Sequence, residues 1–150
     1  MKIYTMFESI ILSKIMHAPI DAVWAVITET NHLKNWYFDF SEDFRLEIGH
    51  TWEWWAGPPN GKKWLHRGVV TQLIHGKRFV HTWEYPGYIG KGEVVWVLTA
   101  INDNQTKVDF AFNFLTPFDP TEEALSRENF ELGWNYILMN GLEEYLSKLI

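Results

Sequence analysis

The side chains able to do chemistry here are six histidines (His17, His32, His50, His66, His75 and His81) set among nine Trp, six Tyr and ten Phe. Cysteine is absent, which excludes disulfides, thiolate catalysis, iron–sulfur clusters and cysteine-ligated zinc. A histidine metal site needs ligands at fixed spacing. The chain has no HExxH, no HxH and no carboxylate-bracketed pair, so neither a metal nor a cofactor is expected. Nucleophilic hydrolysis is unsupported as well, since there is no GxSxG. One histidine stands apart. His81 falls within a run of apolar and aromatic residues, where burial disfavours the charged ring and leaves a neutral base near physiological pH. Its alternative reading is a hydrogen-bonded core histidine partnered by Gln72.

Hydrophobic periodicity indicates which elements position these groups. Ser9 to Met16 reads as a strand. Pro19 then suits a first helical turn, and Ile20, Val23, Trp24 and Ile27 make one apolar face of a short helix. Asn31 can cap a second, with Leu33, Trp36 and Tyr37 on its face. From about Phe44 to Leu115 the period becomes two. Lys63 to His75 and Arg78 to Tyr85 are strand-like, and Gly76-Lys77 between them fits a two-residue type II′ hairpin. That loop sets Ile74 opposite Phe79, Gln72 opposite His81, Val70 opposite Trp83 and Gly68 opposite Tyr85. His66, Gln72, His81 and Tyr85 then share the inward parity. His66 lies six strand positions from the residue facing His81, or ~20 Å, too far to share an ion.

A second hairpin carries Val94, Trp96, Leu98 and Ala100 on one strand and Val108, Phe110, Phe112 and Phe114 on the other. Between the hairpins, Gly87, Gly90 and Gly92 around Tyr88-Ile89 read as a flexible loop and candidate pocket lid. The end is helical. Asp119-Pro120-Thr121-Glu122 offers a cap, a first-turn proline and a capping-box acid. Phe130, Trp134, Leu138, Leu142, Tyr145 and Leu149 form one stripe. A continuous helix from Pro120 to Leu149 would span ~45 Å and cross the whole domain. The fold class is therefore α+β: a curved antiparallel sheet wrapped around a long C-terminal helix, with two short helices after the first strand.

At 150 residues, with no repeats or linker, the chain reads as one domain over 1–150. The formal charge of −6, with basic residues scattered, argues against nucleic acid. In the strand-rich half the longest uncharged stretch, Val94 to Asn102, is too short to cross a bilayer, so membrane insertion is not expected. Glu8 interrupts the only signal-like start, which makes the cytoplasm the expected location.

Several segments together resemble the SRPBCC superfamily. His17-Ala18-Pro19, Val23-Trp24, Thr28, His32-Leu33 and Trp36 are similar to its opening. Gly49 with Trp52 and Trp54, the hairpin from Gly68-Val69-Val70 through Arg78-Phe79-Val80-His81-Thr82-Trp83-Glu84, and Gly133-Trp134 with Leu138 and Leu142 complete the match. More narrowly, the chain resembles members like the C-terminal domain of the activator of the heat-shock-protein-90 ATPase. The resemblance implies the helix-grip fold shared with START domains and the major birch pollen allergen, with a cavity between sheet and helix. Its members include hydrophobic-ligand carriers, polyketide cyclases and chaperone regulators.

Apolar pockets with a few fixed polar groups bind small molecules. The leading expectation is thus a non-enzymatic protein that holds a hydrophobic or lipid-like ligand. Trp52, Trp54, Trp83, Trp96, Phe110 and Phe112 would form the sheet wall, with Val70 among them. Trp134 and Leu138 would form the helix wall. His66, Gln72, His81 and Tyr85 would be the polar groups. Two alternatives stay open: a cyclase- or hydrolase-like enzyme with His81 as general base and Tyr85 as donor, and a chaperone-regulating interaction protein suggested by the family.

Overall fold

The computed structural model describes residues 8–40 and 43–149. Strand β1 (Ile10–Met16) leads into α1 (Ile20–Thr28) and α2 (Thr30–Trp36), followed by β2 (Thr51–Ala56), β3 (Trp64–Ile74), β4 (Arg78–Trp83), β5 (Lys91–Asn102) and β6 (Gln105–Thr116). All neighbours are antiparallel, in the order β1-β6-β5-β4-β3-β2. The C-terminal rod comprises α3 (Arg127–Asn135), a π-helical stretch (Tyr136–Leu142) and α4 (Glu143–Leu149). The architecture is the helix-grip arrangement expected from the pattern.

Period-two burial makes the sheet one-sided. Along β5 and β6, Val94, Trp96, Leu98, Val108, Phe110 and Phe112 are buried while their neighbours are half-exposed or exposed. Trp83 and Phe110 both point at the helix: their rings lie 5.1 and 4.8 Å from that of Trp134. The rod is shorter than the expected Pro120–Leu149 helix. It starts at Arg127, where the Ser126 hydroxyl accepts from the Asn129 amide, and runs ~35 Å at 1.5 Å per residue. Asp119 caps no helix. Its carboxylate accepts from both the amide and the hydroxyl of Thr121, closing a local turn ahead of a short 3-10 turn at Glu123–Leu125. Proline at the second position of that turn is what sequence mistook for a helix start. Likewise α2 begins at Thr30, after Glu29, with no side-chain cap from Asn31.

The β3–β4 hairpin differs from the expected register. Ile74 pairs with Arg78, so the loop has three residues, with Gly76 at φ 78°. A bulge between Val70 and Gln72 then adds a residue. Leu73 faces Phe79, Gln72 faces Val80, and Val70 faces His81. Because side chains alternate, the extra residue leaves His66 and Val70 inward but turns Gln72 and Ile74 to solvent. The proposed Gln72–His81 pair does not exist. Gln72 instead accepts a hydrogen bond from Arg78 Nε at 2.9 Å on the surface.

Candidate functional site

The site grows from the inner faces of β3 and β4. The isolated bridge between Arg67 and Glu84 sets the pairing beyond the end of β4. Tyr85 therefore stands beside His66, with ring centroids 4.7 Å apart, where the expected register had placed it against Gly68. With His81 opposite Val70, the separation from His66 becomes four strand positions, ~13 Å in place of ~20 Å. His81 and Tyr85 are separated by a similar distance along their own strand, with Trp83 between them. They do not converge on one reacting atom.

The hydrogen bonds define each group's capacity. Trp83 Nε1 donates to the Tyr85 oxygen at 2.9 Å, which leaves the phenolic proton able to donate to something else. His66 Nδ1 is bonded to the Trp64 carbonyl at 2.9 Å. His81 Nδ1 donates to the Thr82 carbonyl at 2.9 Å, and its Nε2 has no partner among the described residues. Burial lowers the pKa of both His66 and His81 to about 4, only partly countered by their backbone hydrogen bonds. Both rings are neutral at pH 7. Burial also raises the Tyr85 pKa, so its hydroxyl stays protonated.

Two openings reach this place. One, of about 320 Å³, is rimmed by Pro58, Trp64, Tyr85, Leu125 and Asn129. The other, of about 180 Å³, runs between Trp83 and Tyr85 on the sheet and Gly133, Trp134 and Ile137 on the helix. Phe38, His66, Tyr85, Ala124 and Asn129 line both, so they form one mouth at the end of the grip. A larger hollow of about 410 Å³ behind Phe114, Phe118 and residues 119–123 and 125–127 is lined by none of the orphaned buried polar atoms.

Of the residues expected from sequence, Trp52, Trp54, His66, Val70, His81, Trp83, Tyr85, Trp96, Phe110, Phe112, Trp134 and Leu138 are all buried in the interior. Gln72 alone is outside. The space between sheet and helix is filled by rings that the strand pattern did not supply. Tyr37, Phe38 and Phe40 follow α2 and insert against the walls: Tyr37 lies 6.2 Å from Trp134, Phe40 4.8 Å from Trp54, and Phe38 5.6 Å from Trp83. Their signal was present as an aromatic run, Tyr37-Phe38-Asp39-Phe40, directly after a helical segment. Ala124 and Asn129, from the 3-10 turn and α3, had no comparable signal.

The other histidines are spread over the periphery. His32 bonds the Tyr145 hydroxyl at 2.9 Å, His17 meets Gln105, and His75 packs on Trp24. Among the described residues no three His, Asp or Glu side chains gather in a metal-ligand group. No helix among them is long and apolar enough to cross a membrane.

Comparison with known proteins agrees with this architecture. No curated protein matches the sequence significantly. Solved structures do: Mll3558 from Rhizobium loti is similar over 92% of this chain and 96% of its own, with TM-score 0.77 and 13% identity. CV1439 from Chromobacterium violaceum is similar over 91% and 94%, with TM-score 0.72 and 19% identity. CalU16 from Micromonospora echinospora is similar over 92% and 73%, with TM-score 0.66 and 23% identity. At these identities the likeness concerns the fold. The family described as "Activator of Hsp90 ATPase homolog 1-like protein" matches residues 17–147. With nearly the whole chain matched, and with its curved, open sheet wrapped around the C-terminal helix, the protein belongs to that family, within the START-like superfamily its sequence resembles.

Proposed function

We propose that the protein binds a hydrophobic small molecule at the mouth between the sheet and the C-terminal helix, without catalysing a reaction on it. The observation that carries this reading is the shared mouth itself. Two openings meet on Phe38, His66, Tyr85, Ala124 and Asn129, giving apolar walls with a few fixed polar groups, the usual composition of a small-molecule site. Apolar burial against Trp83, Trp134 and Phe38 would supply affinity. The Tyr85 hydroxyl, whose oxygen is already held by Trp83, would orient a polar end. His81 lies deeper, ringed by Trp52, Phe79 and Trp83 at 5.1, 5.2 and 6.3 Å. That environment suits an acceptor in a pocket better than a proton-transfer centre, which needs a reacting group within hydrogen-bond reach.

The test is saturable binding of N-phenyl-1-naphthylamine, an uncharged apolar fluorescent probe, combined with native mass spectrometry of the purified chain. Ala124 is exposed on the 3-10 turn and lines both openings. Ala124→Trp should abolish saturable probe binding at unchanged melting temperature. Undiminished binding in that variant rejects the mouth as the site.

A further inference from the structure

Around and beneath Phe38 the interior holds a set of polar atoms with nothing to bond among the described residues. Trp52 Nε1, Trp54 Nε1, Trp134 Nε1, the Tyr37 hydroxyl and His81 Nε2 are buried and have no hydrogen-bond partner among the described residues. Buried polar groups are nearly always paired in folded proteins, and five orphans in one ring cluster are unusual. They form two adjoining groups: Trp52 lies 5.5 Å from Trp54 and 5.1 Å from His81, Tyr37 lies 6.2 Å from Trp134, and the Phe40 ring, 4.8 Å from Trp54 and 5.9 Å from Tyr37, joins the two. Trp134 lines the smaller opening directly, and Phe38 stands between that opening and Trp54 and Tyr37. Phe38 is half-exposed, lines both openings, and touches Tyr37 at 4.5 Å and Trp54 at 6.2 Å.

The kind of orphan specifies the kind of ligand. Four of the five carry an N–H or O–H to donate, and one is an acceptor. An aliphatic chain offers these donors nothing. A carboxylate is equally unsuited, because neither opening is lined by Lys or Arg and a buried anion needs a partner. Flat aromatic walls favour stacking against a rigid ring.

Resting on the binding role proposed above, we infer that the ligand is an uncharged, ring-shaped molecule bearing carbonyl or ether oxygens, and that it is admitted when Phe38 swings out of the mouth. Its oxygens pair with the indole and phenol donors. Each such pair tightens binding by up to about tenfold.

The experiment compares 9-fluorenone, fluorene (the same ring frame without the oxygen) and dodecanoate on the wild-type chain and on Phe38→Ala. Calorimetry measures affinity and nitrogen–proton NMR follows the indole N–H signals, with Trp54→Phe and Trp134→Phe assigning two of them. Fluorenone should bind about tenfold tighter than fluorene, dodecanoate should bind weakest, and the Trp54 or Trp134 indole signal should move with fluorenone only. Phe38→Ala should speed association with fluorenone. Equal affinity for fluorenone and fluorene, tightest binding of dodecanoate, or unmoved indole signals would overturn the ligand class while leaving the binding site intact. Failure of all three probes with both proteins would overturn the binding role as well.

Discussion

Tyr85 and His66 face each other across the end of the β3–β4 hairpin, 4.7 Å between ring centroids, at the point where both openings meet. A donor whose proton is uncommitted thus stands beside an imidazole that burial holds neutral. In the proposed binding role polar recognition at the mouth would rest on that pair, so changing it separates binding of a polar end from burial of an apolar body.

Tyr85→Phe keeps the ring and removes the hydroxyl. Trp83 Nε1 loses its acceptor, which should cost about 1–3 kcal/mol of stability because the indole N–H stays buried. Affinity for 9-fluorenone or a similar polar-ended probe should fall by up to about tenfold, and that for fluorene should be unaffected. Urea melts and titration calorimetry read the two effects separately; equal losses for both probes would show that the hydroxyl contacts neither.

Acid should destabilise the protein over a defined window. His66 and His81 titrate at about 4 in the folded chain and near ~6.5 when unfolded. Between those values the unfolded chain holds more protons than the folded one. Their contribution is therefore fully present above pH 6.5 and is lost as the pH falls toward 4. The loss is on the order of 1–3 kcal/mol for each ring, since one pKa unit corresponds to about 1.4 kcal/mol. Urea midpoints should be level from pH 7 to 8 and decline from 6.5 downward, less steeply in His81→Gln. Histidine C–H resonances of both rings should stay unmoved at pH 6; a normal titration there contradicts the burial.

Register can be tested by truncation. Val70→Ala should cost about 1–3 kcal/mol, because Val70 is buried against His81. Gln72→Ala should change stability by less than about 0.5 kcal/mol, as expected for a surface residue. If Gln72 instead were the buried partner of His81, its loss would match or exceed that of Val70. Chemical denaturation of the two variants decides between the registers.

Two glycines should respond with opposite sign. Gly90 has φ 113°, and a Cβ there would stand 2.5 Å from the Phe118 Cα. Gly90→Ala should cost about 2–4 kcal/mol through backbone strain and overlap. Gly133 lies in α3 with nothing within 4 Å of a Cβ. Gly133→Ala should stabilise by about 0.5–1 kcal/mol, since alanine loses less backbone freedom in a helix. Melting temperatures should move by roughly 2–4 °C per kcal/mol.

What the amino-acid order determined by itself is what short-range pattern can encode. Alternation in Trp52/Trp54, Val94/Trp96/Leu98 and Val108/Phe110/Phe112 set which strand faces are inward. The four-residue spacing of Phe130, Trp134, Leu138 and Leu142 set the gripping face of the last helix. Both follow from periods fixed by backbone geometry. Tertiary structure alone decided the three-residue loop at Gly76, the bulge beyond Val70 and hence the exposure of Gln72. It also decided that Tyr37, Phe38 and Phe40 would fill the grip from outside the sheet. The reason is physical: one inserted residue reverses every side chain until the next correction. Where it is inserted depends on which distant rings must meet, a choice no local window of sequence contains.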